Sequence, residues 1–327
     1  MSTPTPPEAV ATPPVRRFGW RRALEWSFYA ALMIFLFLYL RSVDYSTLRG
    51  LQPVWWALVV ASVLALSFRY WGAFIWTTLL RSLGAHDVRL NPELVDVYAK
   101  SWLGRYIPGT APWILGKIYF ASQHGVPRSK LAVSSLLEAA LQIIVQLLFA
   151  LTLLAFDPRL DVLPASLRAT FVVAIVACVA ALVPAIFNRL LSTAFRLLRR
   201  GALADEHLVT WPTLLKGFGL YAIGAVVGGL SLYFIARTVD SSLEWAQLPF
   251  VVGVSTLAGA VSMLAVFVPG GIGVREGIQV ALLSLIMPTE VAVLVAVTTR
   301  LHAVLIDLIF FGLARATRSV SRRRAAA

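Results

Sequence analysis

The chain is built from long apolar stretches separated by short polar ones. Apolar segments run over roughly 20–40, 54–80, 130–156, 167–187, 213–236, 246–268 and 290–314. Each is long enough to cross about 30 Å of hydrocarbon as an α-helix, because a helix satisfies its own backbone groups where lipid offers no partner. Two regions break the pattern. Residues 91–126 hold short apolar pieces around YIPGTAPWILGK, and residues 270–287 are apolar but short, following on the stretch AVFVPGGIGVREGIQ at 265–279. Pro and Gly interrupt a helix, and the freed backbone groups must then meet other protein or a wet cavity. The pattern predicts an all-α polytopic membrane bundle of about seven to eight spanning helices with two broken or re-entrant helical hairpins, at 91–126 and 246–287.

Composition fixes the class. The 327 residues are 59% hydrophobic and 14% charged, and the mean hydropathy is +0.79; a soluble domain is about half apolar and a quarter charged. Cys178 is the single cysteine, so an intramolecular disulfide and a cysteine metal cluster are excluded. His86, His124, His207 and His302 are scattered, with no H-E-x-x-H spacing, and no G-x-x-x-x-G-K-[ST] phosphate loop is present. No metal, cofactor, ATP hydrolysis or catalytic constellation is expected, and the chain does not read as an enzyme.

Charge sets sidedness. The formal net charge of +13 fits the positive-inside bias and anionic lipid better than it fits nucleic acid. Arg16, Arg17, Arg21 and Arg22 precede the first span, Arg81 and Arg89 follow the second, and Arg189, Arg196, Arg199 and Arg200 follow the fourth. With the C-terminal ARATRSVSRRR they mark the cytoplasmic face, leaving Arg41, Arg49, Arg159, Arg168 and Arg237 outside. Both termini are then cytoplasmic and the membrane is the inner cell membrane. Each hairpin must begin and end on one side, unless the second reaches fully across and counts as two spans. Trp26–Leu40 could pass for a signal peptide, but RSVDYS after it lacks a small-residue cleavage site, so it reads as a retained helix. The domains read as a disordered, Pro- and Thr-rich cytoplasmic tail at 1–18, a membrane domain at 19–315 and a basic cytoplasmic tail at 316–327.

The two hairpins share spacing. Pro108-Gly109 is followed nineteen residues later by Pro127, and Pro269-Gly270, at the same distance, by Pro288. Gly116 and Gly277 share the same offset of 161. Each second proline opens a long helix with unusual polar residues: Glu138, Gln142 and Gln146 in one, Arg300 and Asp307 in the other. A true repeat would be inverted across the membrane, an arrangement in which broken helices meet near the midplane.

The breaks carry chemistry suited to an anion. A helix restarting after Gly271 offers unpaired N–H groups and a positive end, and Gly270, Gly271 and Gly273 allow close backbone approach. Arg275 adds a planar fork that grips phosphate. Glu276 either holds an amine or sugar hydroxyl or neutralises an arginine. At the first break Thr110 could cap, Pro112 suits a first turn, and Lys117 either supplies charge or snorkels to the interface. The alternative for both Pro-Gly sites is a tight surface loop. Glu138, Gln142 and Gln146 form one stripe four residues apart; Glu138 either contacts substrate or locks helices through Arg69 or Arg300. Arg69 and Asp307 read as structural, Arg300 as functional. Gly224, Gly228 and Gly229 read as a close-packing face.

FVPGGIGVREG resembles the signature of the lysylphosphatidylglycerol synthase transmembrane region, or flippase-like domain, family. GRYIPGTAPWILGKIYFASQHGVPRSKLAVSSLLE resembles its first block, over roughly 20–315 in all. Two departures stand out: Ala139 occupies the position where the family usually has arginine, and Pro112, Trp113 and Lys117 interrupt the first block. The resemblance implies movement of lipids between leaflets, aminoacylated phosphatidylglycerol in the best-known branch, whose soluble transferase domain follows the membrane part. This sequence ends at SRRRAAA, so synthase activity is not expected of it. The expected function is a translocase for an anionic phospholipid or lipid-linked headgroup. Its site would be drawn from Arg275, Glu276, Arg300, Glu138, Gln142, Lys117, Pro108, Gly109, Pro269, Gly270, Gly271 and Gly273. A transporter of a soluble organic anion is an alternative, as is a scaffold for a separate synthase or glycosyltransferase partner. An intramembrane enzyme fits least well.

Overall fold

A computed structural model describes residues 53–326 apart from 107–110, 124, 161–163, 198–207, 266–267 and 269–270. The expected tail at 1–18, the first expected span at 20–40 and the residues Pro108, Gly109, Thr110, Pro269 and Gly270 lie outside the described residues. Those described belong to one compact unit, Asp44–Ala327.

The described chain is helical, with no strand among the described residues. Helix α1 is Trp55–Ser82, α2 Pro92–Leu103, α3 Ala111–Ser122, α4 Arg128–Ala155, α5 Ala165–Ala181, α6 Pro184–Leu197, α7 Trp211–Val239, α8 Leu248–Leu264, α9 Val274–Leu283 and α10 Thr289–Ala326. Five helical segments are long and apolar enough to cross a membrane (α1, α4, α7, Trp245–Leu264 and α10), and six if the bent pair α5–α6 is one span. Starts are set locally. Asn91 caps α2 by accepting from the Leu94 N–H at 2.8 Å, with Pro92 in the first turn.

Both expected hairpins are present as packed helix pairs, α2 on α3 and α8 on α9. The limbs α2 and α3 have 12 residues each and α9 has 10. At 1.5 Å per residue they reach only about 15–18 Å, roughly half the hydrocarbon thickness. The order helix, break, short helix, proline, long helix recurs, α2–α3–Pro127–α4 and α8–α9–Pro288–α10, with the 17-residue α8 in the place of the 12-residue α2.

Contacts sort the bundle into two ends. At one, the Lys130 ammonium at the start of α4 donates to the Gly84 carbonyl just past α1. There too, Asp96 near the start of α2 pairs with Arg318 of α10 at 2.7 Å, and Glu93 with Arg322. Leu80, Leu83, Leu94, Ala121, Val126 and Ala314 share the apolar cluster here. At the other end the Val54 N–H donates to the Thr238 carbonyl, joining the start of α1 to the end of α7. Val239, Phe250, Leu283, Met287 and Val291 pack together there. The first hairpin therefore enters from the end that holds the C-terminus of α10, and the second from the opposite end.

The stretch 167–187, expected as one span, is broken. Helices α5 and α6 meet at 88° across Leu182–Val183. Pro184 begins α6 and has no N–H to continue the ladder of α5. Helix α6 is amphipathic: Phe187, Leu191 and Phe195 are buried while Arg189, Thr193 and Arg196 are exposed, the pattern of a helix lying in an interface. Helix α10 continues past 315 through the basic stretch to Ala326.

Candidate functional site

Residues flanking the breaks in both hairpins meet the middles of the long helices. Arg69 lies halfway along α1, Gln142 and Gln146 along α4, and Gly224 and Gly228 along α7. Trp102 and Arg105 come from the end of the first hairpin's inward limb, and Trp113 from the start of its return. Ser255, Gly259 and Ser262 of α8, with Gly271 and Arg275 at the second break, complete the wall together with Thr299 and His302 of α10. These residues enclose a cavity of about 190 Å³, the space of about six waters at roughly 30 Å³ each.

Two features of the second break fix the tip of α9. Gly271 has φ +64°, and a Cβ there would run into Ser262, so a glycine is required. Gly273, at φ +84°, donates its N–H to Glu276 Oε2 at 2.7 Å. Glu276 thus caps the helix that it opens, and its other oxygen faces Arg300 at 3.7 Å.

The cavity is electropositive. Asp307 accepts from Arg69 Nε at 2.5 Å, Trp102 Nε1 at 3.1 Å and Tyr106 Oη at 2.6 Å. Arg105 stacks over Trp102, 4.7 Å from its centroid, and neither it nor Arg275 has an ion pair among the described residues. The buried Nε of Arg275 has no hydrogen-bond partner. Arg275 lies within the fields of Arg69, Arg105 and Arg300 as well as Glu276. Among the described residues, four guanidinium groups thus stand against two carboxylates, an excess of two positive charges inside an apolar bundle. The free Oε1 of Gln146, also buried without a partner, supplies an acceptor.

Beside the cavity lies a separate charged pair. Lys117 is fully buried and bonded to Glu138, itself 2% exposed. Tyr98 donates to the same carboxylate at 3.3 Å. The ammonium sits over the rings of Trp113 at 4.3 Å and Tyr98 at 4.7 Å. Trp113 belongs both to this cage and to the cavity wall.

Of the residues singled out from the sequence, Arg275, Gly271 and Gln142 line the cavity. Gly273, Glu276 and Arg300 support its rim. Several expectations change. The partner of Glu138 is Lys117, not Arg69 or Arg300, because α3 returns beside α4 and brings Lys117 inward; Lys117 does not snorkel. Arg69 pairs with Asp307, as a structural pair should, yet also lines the cavity. The glycines of α7 divide: a Cβ on Gly229 would meet the Val252 backbone at 2.9 Å and one on Gly224 would meet Phe68 at 3.2 Å, but Gly228 has open space. The Arg105–Trp102 stack, Trp113 and His302 escape the sequence reading. A warning signal existed for Arg105: it directly precedes the break in GRYIPG.

The family model described as "Lysylphosphatidylglycerol synthase TM region" matches residues 23–310. None of the curated proteins matches the chain. The chain belongs to that family, and it is an integral membrane protein of the lipid-modification or flippase kind.

Proposed function

We propose that this member of the lysylphosphatidylglycerol synthase TM region family is a translocase that carries the phosphate-bearing headgroup of an anionic lipid between leaflets. The observation that supports this reading is the excess of two guanidinium groups in a mid-depth cavity approached by one hairpin from each end of the bundle. An unpaired charge at the bilayer centre costs on the order of 3 kcal/mol or more, so a standing excess calls for a mobile counter-anion. Arginine grips phosphate through two parallel hydrogen bonds. A lipid phosphate brings that anion and leaves its acyl chains in the bilayer.

In this reading Arg105 and Arg275 hold the phosphate, Arg69 is held ready by Asp307, and Glu276 with Arg300 keeps the tip of α9 in place. The end of the bundle with Lys130, Arg189, Arg196, Arg318 and Arg322 is the cytoplasmic one by the positive-inside bias. No chemical step is assigned to the chain, and a separate synthase or glycosyltransferase would make the lipid that it moves. Rocking of one hairpin-bearing half against the other would alternate access.

Reconstitution into vesicles with acyl-labelled anionic lipid tests the reading. Arg105→Gln and Arg275→Gln should each slow headgroup movement about tenfold or more, since a hydrogen bond to a charged group is worth roughly 1.5–3 kcal/mol. An unchanged rate in both variants, with normal purification and melting, contradicts it.

A further inference from the structure

We infer that the headgroup accepted here is a phosphate bearing uncharged hydroxyls, a small phosphopolyol such as phosphoglycerol, and that headgroups carrying an ammonium group are excluded. The inference rests on the translocase reading and narrows its substrate. It follows from where the carboxylates are. An ammonium that leaves water needs an acidic group or an open aromatic face in its place, and the aromatic rings of the wall, Phe68, Trp102 and Trp113, already face Arg69, Arg105 and Lys117. Among the described residues the cavity wall contains no Asp or Glu.

Three carboxylates beside it among the described residues are already engaged. Glu138 is held by Lys117 and Tyr98 outside the wall. Asp307 accepts three donors, from Arg69, Trp102 and Tyr106. Glu276 caps Gly273 and faces Arg300.

The rest of the wall suits hydroxyls. Gln146 offers a buried carbonyl oxygen without a partner, and Gln142 lies one turn away on the same face of α4. Ser262 and Thr299 donate to carbonyls of their own helices, which leaves their oxygens as acceptors for substrate hydroxyl groups. A second cation would enter a site that already has two positive charges in excess, where like charges repel strongly at low dielectric. Specificity thus comes from repulsion of the wrong headgroup as much as from attraction of the right one. The volume of about 190 Å³ accommodates a small headgroup.

The test compares acyl-labelled phosphatidylglycerol, phosphatidylethanolamine and lysyl-phosphatidylglycerol in vesicles reconstituted with the intact chain. Phosphatidylglycerol should move about tenfold or more faster than either amine-bearing lipid. Gln142→Glu, which places a carboxylate in the wall, should reduce that preference by raising the rate for the amine-bearing lipids. Equal rates for all three lipids, or faster movement of the amine-bearing ones, overturn the inference and leave the translocase reading standing. Movement of none of the three lipids, with no uptake of labelled glycerol phosphate, overturns both. Uptake of labelled glycerol phosphate without lipid movement keeps the headgroup chemistry but overturns the lipid reading.

Discussion

Lys117 and Glu138 show how the surroundings decide what a charge is for. Both are almost fully enclosed, and each is the other's only charged partner among the described residues. Removing one leaves an uncompensated charge, which costs roughly 3–5 kcal/mol in a buried pair, whereas replacing both by apolar groups is often neutral. Lys117→Met alone should therefore lower the melting temperature in detergent by many degrees, and Lys117→Met with Glu138→Leu should recover most of the loss. If the double variant melts no higher than the single one, the pair is not an isolated structural unit. The sequence marks these residues as unusual, since charge in an apolar run stands out, but not as partners. Pairing across 21 positions for Lys117–Glu138 and 238 for Arg69–Asp307 depends on helix packing, which periodicity does not encode. Arg105 is harder still to read, because it sits in a segment already polar and broken.

Five of the expected spans and both hairpins are legible as elements because helices in lipid need long apolar runs and because Pro-Gly breaks are rare within them. The 88° bend before Pro184 is not legible. The apolar run continues through it, and only the switch to an amphipathic period at Phe187, Leu191 and Phe195 betrays the change. On α7 two neighbouring glycines have opposite duties. Gly229→Ala forces the new methyl onto the Val252 backbone of α8 and should cost roughly 1–3 kcal/mol. Gly228→Ala points into open cavity space and should change stability by only about 0.5–1 kcal/mol in either direction. Thermal unfolding of the two variants side by side checks this; equal losses would mean that the α7–α8 contact is looser than described.

At the scale of the molecule, a hairpin enters from each end, and residues flanking both breaks line one electropositive cavity. Around the shared 161-residue offset the order of helices recurs at Pro127 and Pro288, but the first limbs differ in length, 12 residues in α2 against 17 in α8. Sidedness is testable without any transport assay. In a Cys178→Ala background, Arg323→Cys should react with an impermeant maleimide only from the cytoplasmic side, and Trp245→Cys only from the opposite side. Labelling of both from one side would remove the opposed entry of the hairpins.

The central claim is that the excess guanidinium charge holds a lipid phosphate. Native mass spectrometry of the purified chain, released from its membrane in mild detergent, addresses it most directly. The account predicts that the wild type retains an anionic phospholipid and that Arg105→Gln with Arg275→Gln loses it while remaining folded. Equal retention of that lipid by the wild type and the double variant would contradict it.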